Sequence, residues 1–328
     1  MHTVTLNTGR TFCADPAMPI LDAARNAGAV LEYSCRTGRC GKCKAPVIQG
    51  ATTVLRYEES LSATEVADGV ILTCCRAAAG DVTLDVEPLD QLVGLEVSTI
   101  PARVVSIDRL APEVVRVFLR IPPKSFLRFL PGQYIDVLAD GIRRSYSLAN
   151  APRADNLLEL IIKKYPGGRL SDFWFNRARV NELVRLEGPF GTFFLRDPSP
   201  VNITFLATGT GIAPVKAILE ELAKDPMRAS HHRIRVFWGN REVDNFCWDP
   251  VELGLDIAFH HLLSGDAMNW RGGRGYVHDA AIIDGIDCNE TAVYACGSNA
   301  MITSAEQALL AMGLPARRFF SDAFVSSN

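Results

Sequence analysis

The chain has 328 residues, 48% of them hydrophobic and 22% charged, an ordinary globular composition with length for two or three domains. Its formal net charge of −3 excludes a generally basic nucleic-acid binder, and no apolar run approaches the roughly 20 residues that a bilayer span needs. Met1 to Arg10 is polar and alternating, unlike a signal peptide, and nine cysteines in that setting point to a reducing compartment, with cytoplasm as the expectation.

In chain order, Val4–Leu6 and Arg10–Cys13 alternate around Thr8-Gly9 and predict a hairpin. Apolar residues at helical spacing (Ile20, Leu21, Ala24, Ala27) predict a helix from Ile20 to Ala29. Then comes Cys35-Arg-Thr-Gly-Arg-Cys40-Gly-Lys-Cys43, a C-x4-C-x2-C run, with Cys74 and Cys75 downstream. Three thiolates from one loop and a fourth from a distant turn is the plant-type [2Fe-2S] pattern. A structural zinc site is the competitor, but zinc usually takes two close pairs of ligands. Gly38 and Gly41 let the loop wrap backbone N–H groups around sulfur. Cys74 or Cys75 supplies the fourth ligand, whereas Cys13, Cys247 and Cys288 read as small buried apolar residues. Arg36, Arg39, Lys42 and Lys44 make the loop cationic with no acid between them, a candidate docking surface for an acidic face of an electron acceptor. Strands at Lys44–Ile48 and Val82–Val86 complete a small mixed sheet with one helix, a β-grasp domain over residues 1–92. Leu92 to Ile100 reads as a connector broken by Pro101.

Six short strands follow, at Ala102–Ile107, Val114–Ile121, Gln133–Leu138, Arg144–Leu148, Leu157–Lys163 and Leu183–Leu186. With one helical stretch, Leu170–Asn176, they predict an antiparallel barrel over residues 99–197. Arg144, Tyr146 and Ser147 sit in an extended segment, with Arg144 and Tyr146 on one face. A guanidinium for phosphate beside a ring that covers isoalloxazine suits a flavin. Gly167 and Gly168 open a helix whose N-terminus would bind pyrophosphate, Ser171 adding a hydroxyl or merely capping.

Val201–Ala207, then Thr208-Gly209-Thr210-Gly211-Ile212-Ala213-Pro214, then a helix from Val215 to Lys224 make a strand, glycine turn and helix cradle for a dinucleotide. Pro214 stands where a Rossmann fingerprint has its third glycine. Strands at Ile234–Trp238, Ile257–Leu263 and Ala292–Cys296 alternate with helical stretches, implying an α/β parallel-sheet domain over 198–328. Cys296-Gly297 ends the last strand, before a helix from Ala300 to Met312. Gly297 permits close approach of a ligand, and Cys296 is either a neighbour of nicotinamide or a packed strand-end residue. Arg241 suits a 2′-phosphate, whereas Glu242 or Asp244 suits a ribose diol; NADH is favoured over NADPH.

The three segments in this order resemble the ferredoxin–NADP⁺ reductase superfamily in its fused form, over essentially the whole chain. The resemblance implies a multidomain α+β fold in which a ferredoxin domain precedes an FAD domain and an NAD domain. It implies FAD rather than FMN, because relatives using FMN tend to carry the ferredoxin domain last. It assigns Arg144-Ser145-Tyr146-Ser147 to FAD, with Ser147 approaching flavin N5, and Gly209, Thr210, Gly211 and Pro214 to the nicotinamide pyrophosphate. It also sets Cys296-Gly297 beside the nicotinamide, Phe324 over the other flavin face, and Cys74, in its Leu-Thr-Cys setting, as the last cluster ligand after Cys35, Cys40 and Cys43.

Ile71–Cys75, Arg143–Pro152, Val293–Ile302 and Phe319–Val325 are most similar to the branch of that superfamily that serves deoxysugar synthesis. Reductase components of aromatic-ring oxygenases share the domain order and most motifs. The expected activity is hydride transfer from NADH to flavin, with Tyr146, Ser147, Cys296 and Phe324 at the reacting atoms and Phe324 as a gate. Single electrons then leave through the cluster to a protein partner, a sugar dehydrase or an oxygenase component, with no role for nucleic acid or membrane. A non-enzymatic redox sensor is the reading of another class.

Overall fold

The computed structural model describes residues 1–196 and 200–324, so the expected junction at 197 and 198, and Val325, lie outside the described residues. The chain separates into two compact units, Met1–Leu95 and Glu96–Asn328. Among the described residues no helix is long and apolar enough to cross a membrane.

The first unit contains β1 (His2–Leu6), β2 (Thr11–Ala14), α1 (Ile20–Asn26), β3 (Lys44–Gln49), β4 (Thr52–Val54), α2 (Ala63–Ala67), β5 (Val70–Leu72), β6 (Arg76–Ala78) and β7 (Val82–Leu84). Its main sheet runs β2-β1-β7-β3-β5, with β1 parallel to β7 and the other neighbours antiparallel; β4 and β6 pair separately. Alternation turns Val4, Leu6, Phe12 and Ala14 inward, against Ile20, Leu21, Ala23 and Ala24 of α1. The same alternation puts Cys13 on the exposed face, which corrects its reading as a buried residue. Helix α1 ends earlier than its periodicity predicts. Gly28 takes a left-handed φ of +75°, and the N–H groups of Gly28 and Ala29 return to the carbonyls of Arg25 and Ala24, a Schellman stop. The sequence reading missed α2, which Ser62 and Glu65 start with a reciprocal capping box.

The second unit opens with β8 (Ser98–Ala111), β9 (Val114–Arg120), β10 (Tyr134–Ala139), β11 (Ile142–Ser147), β12 (Leu157–Lys163), α3 (Arg169–Asp172) with a π-helical turn at Phe173–Arg177, and β13 (Leu183–Phe190). All six expected strands are present, in an antiparallel sheet ordered β11-β10-β13-β8-β9-β12, and a bridge between Leu148 and Leu160 joins its two edges. Val104, Val117, Leu119, Ile135, Val137, Leu148 and Leu160 fill the interior. Pro101 does not break the chain here. It lies within β8, opposite Arg185, where β9 has not yet begun to pair, so the missing N–H is tolerated on that side.

The rest is a six-stranded parallel sheet with crossover helices. Its elements are β14 (Asn202–Thr208), α4 (Ile212–Ala223), α5 (Pro226–Ala229), β15 (Arg233–Asn240), β16 (Ile257–Leu263), β17 (Gly273–Arg274), α6 (Val277–Ile283), β18 (Thr291–Ser298), α7 (Asn299–Ala311) and β19 (Phe319–Phe324). The order β17-β16-β15-β14-β18-β19 makes the chain change direction between β14 and β18. In such sheets the crevice beyond the carboxyl ends at that switch point is where ligands bind. Helix α4 begins at Ile212, three residues before the expected Val215, because Pro214 fits within the first turn. Strand β19 was not foreseen; it sets Phe324 opposite Ser298, beside the Cys296-Gly297 end of β18.

Candidate functional site

The cysteine loop is shaped by three left-handed residues, Arg36, Gly38 and Gly41. At Gly38 a side chain is impossible, since a Cβ would lie 2.5 Å from the Tyr57 carbonyl and 2.9 Å from Cys75 Sγ. The thiols come as two pairs. Cys35 is hydrogen-bonded with Cys40, whose sulfur also takes the Cys35 N–H at 3.4 Å, and Cys43 Sγ lies 3.2 Å from Cys74 Sγ. Within each pair the neighbour's hydrogen bond pulls one thiol down, Cys35 to about 5 and Cys74 to about 7, while the partners Cys40 and Cys43 are driven up. Among the described residues no three Cys, His, Asp or Glu side chains gather as one metal ion requires. Two thiols per iron, with backbone N–H groups directed at sulfur, fit a [2Fe-2S] cluster held by Cys35, Cys40, Cys43 and Cys74. Cys75 lies behind, 3.5 Å from Cys74 Sγ and 3.7 Å from the Tyr57 carbonyl, its thiol pushed up to about 12 by burial.

Folding changes the electrostatics expected of the loop. Arg36 meets Asp22 at 2.5 Å, Arg39 meets Glu59 at 3.3 Å and Lys44 meets Glu65 at 2.5 Å. Three of the four cations expected to stand without acids are paired from outside the loop, so much of the rim is a set of partly exposed ion pairs rather than a bare positive surface. Such pairs hold their partners weakly and are open to exchange.

In the barrel, Arg144-Ser145-Tyr146-Ser147 forms the body of β11, paired with Tyr134 to Val137 of β10. The strand is extended, so Arg144 and Tyr146 share a face and Ser147, buried, turns to the other. Burial raises the Tyr146 phenol above its ordinary value, which leaves it neutral. Asp136 fixes the strand by accepting from Arg143 Nε at 2.7 Å and Ser145 Oγ at 2.6 Å. Helix α3 lies beside β11, which brings the Gly167-Gly168 turn next to this strand. Ser171 Oγ donates to the Gly168 carbonyl at 2.8 Å and accepts from the Tyr165 N–H, the arrangement of a residue that braces its own turn.

At the switch point the Gly209–Gly211 turn is held by its neighbours. Trp238 Nε1 donates to the Gly209 carbonyl at 2.8 Å, and the Ser298 N–H donates to Thr208 Oγ1 at 3.0 Å. A Cβ on Gly211 would lie 2.3 Å from the Cys296 carbonyl, and one on Gly297 (φ +132°) 2.2 Å from Thr208 Oγ1. Gly297 therefore admits its own chain, the end of β14, at close range. Cys296 is fully buried in the cluster of Phe205 and Tyr294, and burial followed by the Asp322 carboxylate holds its thiol well above the ordinary value. Phe324 packs half-buried against the same cluster. The turn Gly209–Gly211 also lies against β12, so barrel and parallel sheet meet beside it. Arg241, Glu242 and Asp244 are all exposed just past β15.

The sequence reading missed the buried trio of Lys216, Glu159 and Glu220. Its signal was present: a lysine within the apolar run of α4, an acid four residues later, and an acid inside the apolar run of β12.

Comparison with known proteins places families along the chain. Residues 4–79 match the 2Fe-2S iron-sulfur cluster binding domain, 101–195 the oxidoreductase FAD-binding domain and 205–307 the oxidoreductase NAD-binding domain. The chain is 39% identical to the CDP-6-deoxy-L-threo-D-glycero-4-hexulose-3-dehydrase reductase of Yersinia pestis, covering 98% of this chain and 97% of that one. It is 30% identical to the propane 2-monooxygenase reductase component of Mycolicibacterium goodii, with 94% and 92% covered. A crystal structure of an Amycolatopsis cytochrome P450 reductase superposes over 100% of both chains with a TM-score of 0.77 at 26% identity. With its thiol pairs, flavin-type barrel and switch-point turn in this order, the chain belongs to the fused [2Fe-2S], FAD and NAD reductases of the ferredoxin–NADP⁺ reductase superfamily.

Proposed function

We propose that this reductase supplies electrons to a sugar-nucleotide dehydrase in deoxysugar synthesis, acting as a CDP-6-deoxy-Δ3,4-glucoseen reductase. The observation that carries the reading is the 39% identity, which extends over 98% of the chain rather than over one cofactor domain. A second reading, service to a mono- or dioxygenase acting on an aromatic compound, draws on the 31% identity to the terephthalate 1,2-dioxygenase reductase component 1 of Comamonas sp. The test reconstitutes the protein and NADH with a CDP-6-deoxyhexulose dehydrase and its substrate, or with an oxygenase component. Deoxygenated sugar in the first mixture is expected; turnover only in the second overturns the assignment.

When bound, FAD accepts hydride from NADH and the cluster passes on single electrons. The domains assigned to these tasks are 1–92, 99–197 and 198–328. In the barrel the Arg144 guanidinium would hold the flavin phosphate, the neutral Tyr146 ring would cover isoalloxazine and Ser147 would serve N5. Gly167, Gly168 and the α3 N-terminus receive the pyrophosphate, with Ser171 holding their turn in shape. Gly209, Thr210, Gly211 and Pro214 cradle the NADH pyrophosphate at the start of α4, and Cys296-Gly297 bounds the nicotinamide side. Phe324, assigned to the other flavin face, would swing aside as a gate so that nicotinamide could stack, since reacting atoms must come within about 3–3.5 Å. Glu242 or Asp244 takes the ribose diol, which favours NADH over NADPH. The place of work is the cytoplasm.

The acceptor docks at the cysteine loop and exchanges its own acids for those that now hold Arg36, Arg39 and Lys44. Arg39→Glu, beside Glu59, is expected to slow electron delivery about 2–10-fold at low ionic strength, the loss shrinking as salt screens it. Stopped-flow reduction of the acceptor across salt concentration measures this, and a variant with wild-type rates throughout contradicts the docking site.

A further inference from the structure

The ammonium of Lys216 is the least expected group in the molecule. It is 8% exposed, on the fifth residue of α4, the helix that continues from the Gly209–Gly211 turn. Three oxygens hold it: Glu159 Oε2 at 2.7 Å, Glu220 Oε1 at 2.5 Å and the Ala149 carbonyl at 3.0 Å. Glu220 Oε2 in turn accepts from the Ala151 N–H at 2.9 Å. Glu159, 4% exposed on β12, is fixed through its backbone, which accepts from Ala149 N and donates to Asn150 Oδ1 at 2.6 Å. All three side chains are thereby joined, directly or through Glu159, to Ala149–Ala151, which begins two residues after Ser147.

Burial holds the Glu159 carboxyl above its ordinary value, and Lys216 offsets part of that rise. A buried ion cluster of this kind gains little stability over apolar residues of the same volume. Its geometry, however, ties α4 to Ala149–Ala151 by two direct bonds and by three more through Glu159 of β12, and those two pieces continue from the Gly209–Gly211 turn and from β11.

We propose that Lys216, with Glu159 and Glu220, is a positioning cluster that sets the spacing between the nicotinamide turn and the flavin strand and thereby the rate of hydride transfer. This rests on the assignment of Gly209–Gly211 to NADH and of Arg144–Ser147 to FAD. The cluster touches neither substrate nor flavin; it acts through the ends of α4 and β11.

The test compares the holoprotein with Lys216→Met and with the triple variant Lys216→Met, Glu159→Gln, Glu220→Gln. The triple variant removes the stranded charges and keeps an acceptor for the Ala151 N–H. Flavin and iron content, melting temperature, NADH affinity and the anaerobic rate of flavin bleaching by NADH are read on each. The expected result is bleaching slowed about 10–100-fold, as misplacement of reacting groups gives, with flavin and iron content kept and the triple variant melting near wild type. Wild-type bleaching in the triple variant overturns the proposal, as does loss of bound flavin in both variants, which assigns the cluster to structure alone. Failure of the underlying assignment reads differently, since Gly211→Ala would then leave NADH affinity, and Arg144→Ala flavin content, at wild-type values.

Discussion

Cys74→Ser is expected to remove most of the cluster absorbance and bound iron, whereas Cys75→Ser keeps both. The two cysteines are adjacent in sequence and both buried, yet only Cys74 forms a pair, 3.2 Å from Cys43 Sγ. Cys75 lies behind Cys74, with its Sγ 3.7 Å from the Tyr57 carbonyl. Cys74 thus completes a second sulfur pair beside Cys35 and Cys40, two thiols for each iron, so it is the expected ligand. Loss of an outer partner at a metal site costs about 10–100-fold in affinity, and loss of a ligand costs more. Delivery of electrons to an acceptor falls by at least that factor in Cys74→Ser, with NADH-driven bleaching of the flavin unaffected. Iron analysis and the visible spectrum of the two purified variants decide it. The reverse pattern, with Cys75→Ser losing the cluster, contradicts the assignment.

Gly297→Ala has the second largest expected effect. The residue sits at φ +132°, and its Cβ would lie 2.2 Å from Thr208 Oγ1 and 2.8 Å from the Thr208 carbonyl. The carbonyl belongs to β14, which is buried between β15 and β18 and has little room to retreat. Overpacking and backbone strain together cost about 3 kcal/mol or more at such a site. Relief requires the ends of β14 and β18 to separate, which moves the Gly209–Gly211 turn. A displacement of about 1 Å there slows hydride transfer about 100-fold. Gly254→Ala is the control, since Gly254 has φ +64° and open space around its Cβ; it carries only the left-handed penalty of about 1–2 kcal/mol. Melting temperatures and rapid-mixing rates of flavin bleaching compare the two. Equal behaviour contradicts the close-packed turn.

How much was legible in the sequence follows from the range of each interaction. The cysteine spacing, the Arg144–Ser147 segment and the Gly209–Pro214 turn are each written within a few neighbouring residues, and the strands around them alternate in the ordinary way. Apart from α2, whose Ser62–Glu65 capping box is local, most missed features join residues far apart in the chain. Asp22, Glu59 and Glu65 neutralise a loop in which they do not occur. Strand β19 has no pattern that separates it from a loop until β18 lies beside it. The contact that makes Gly297 obligatory comes from Thr208, 89 residues earlier. Lys216 and Glu159 were visible as charges in apolar runs, but only the fold shows that they answer one another. Exposure of Cys13 was within reach of the alternation that placed Phe12 and Ala14 inside.

The order of electron flow from NADH through FAD to the cluster is the central claim, and one anaerobic experiment addresses it. The holoprotein is mixed rapidly with NADH, with flavin absorbance followed in the stopped-flow and the reduced cluster quantified by freeze-quench electron paramagnetic resonance. The account predicts that flavin bleaching comes first, that the cluster signal rises afterwards, and that protein stripped of flavin gives no cluster signal. Reduction of the cluster by NADH in the flavin-free protein, or ahead of flavin bleaching, would contradict it.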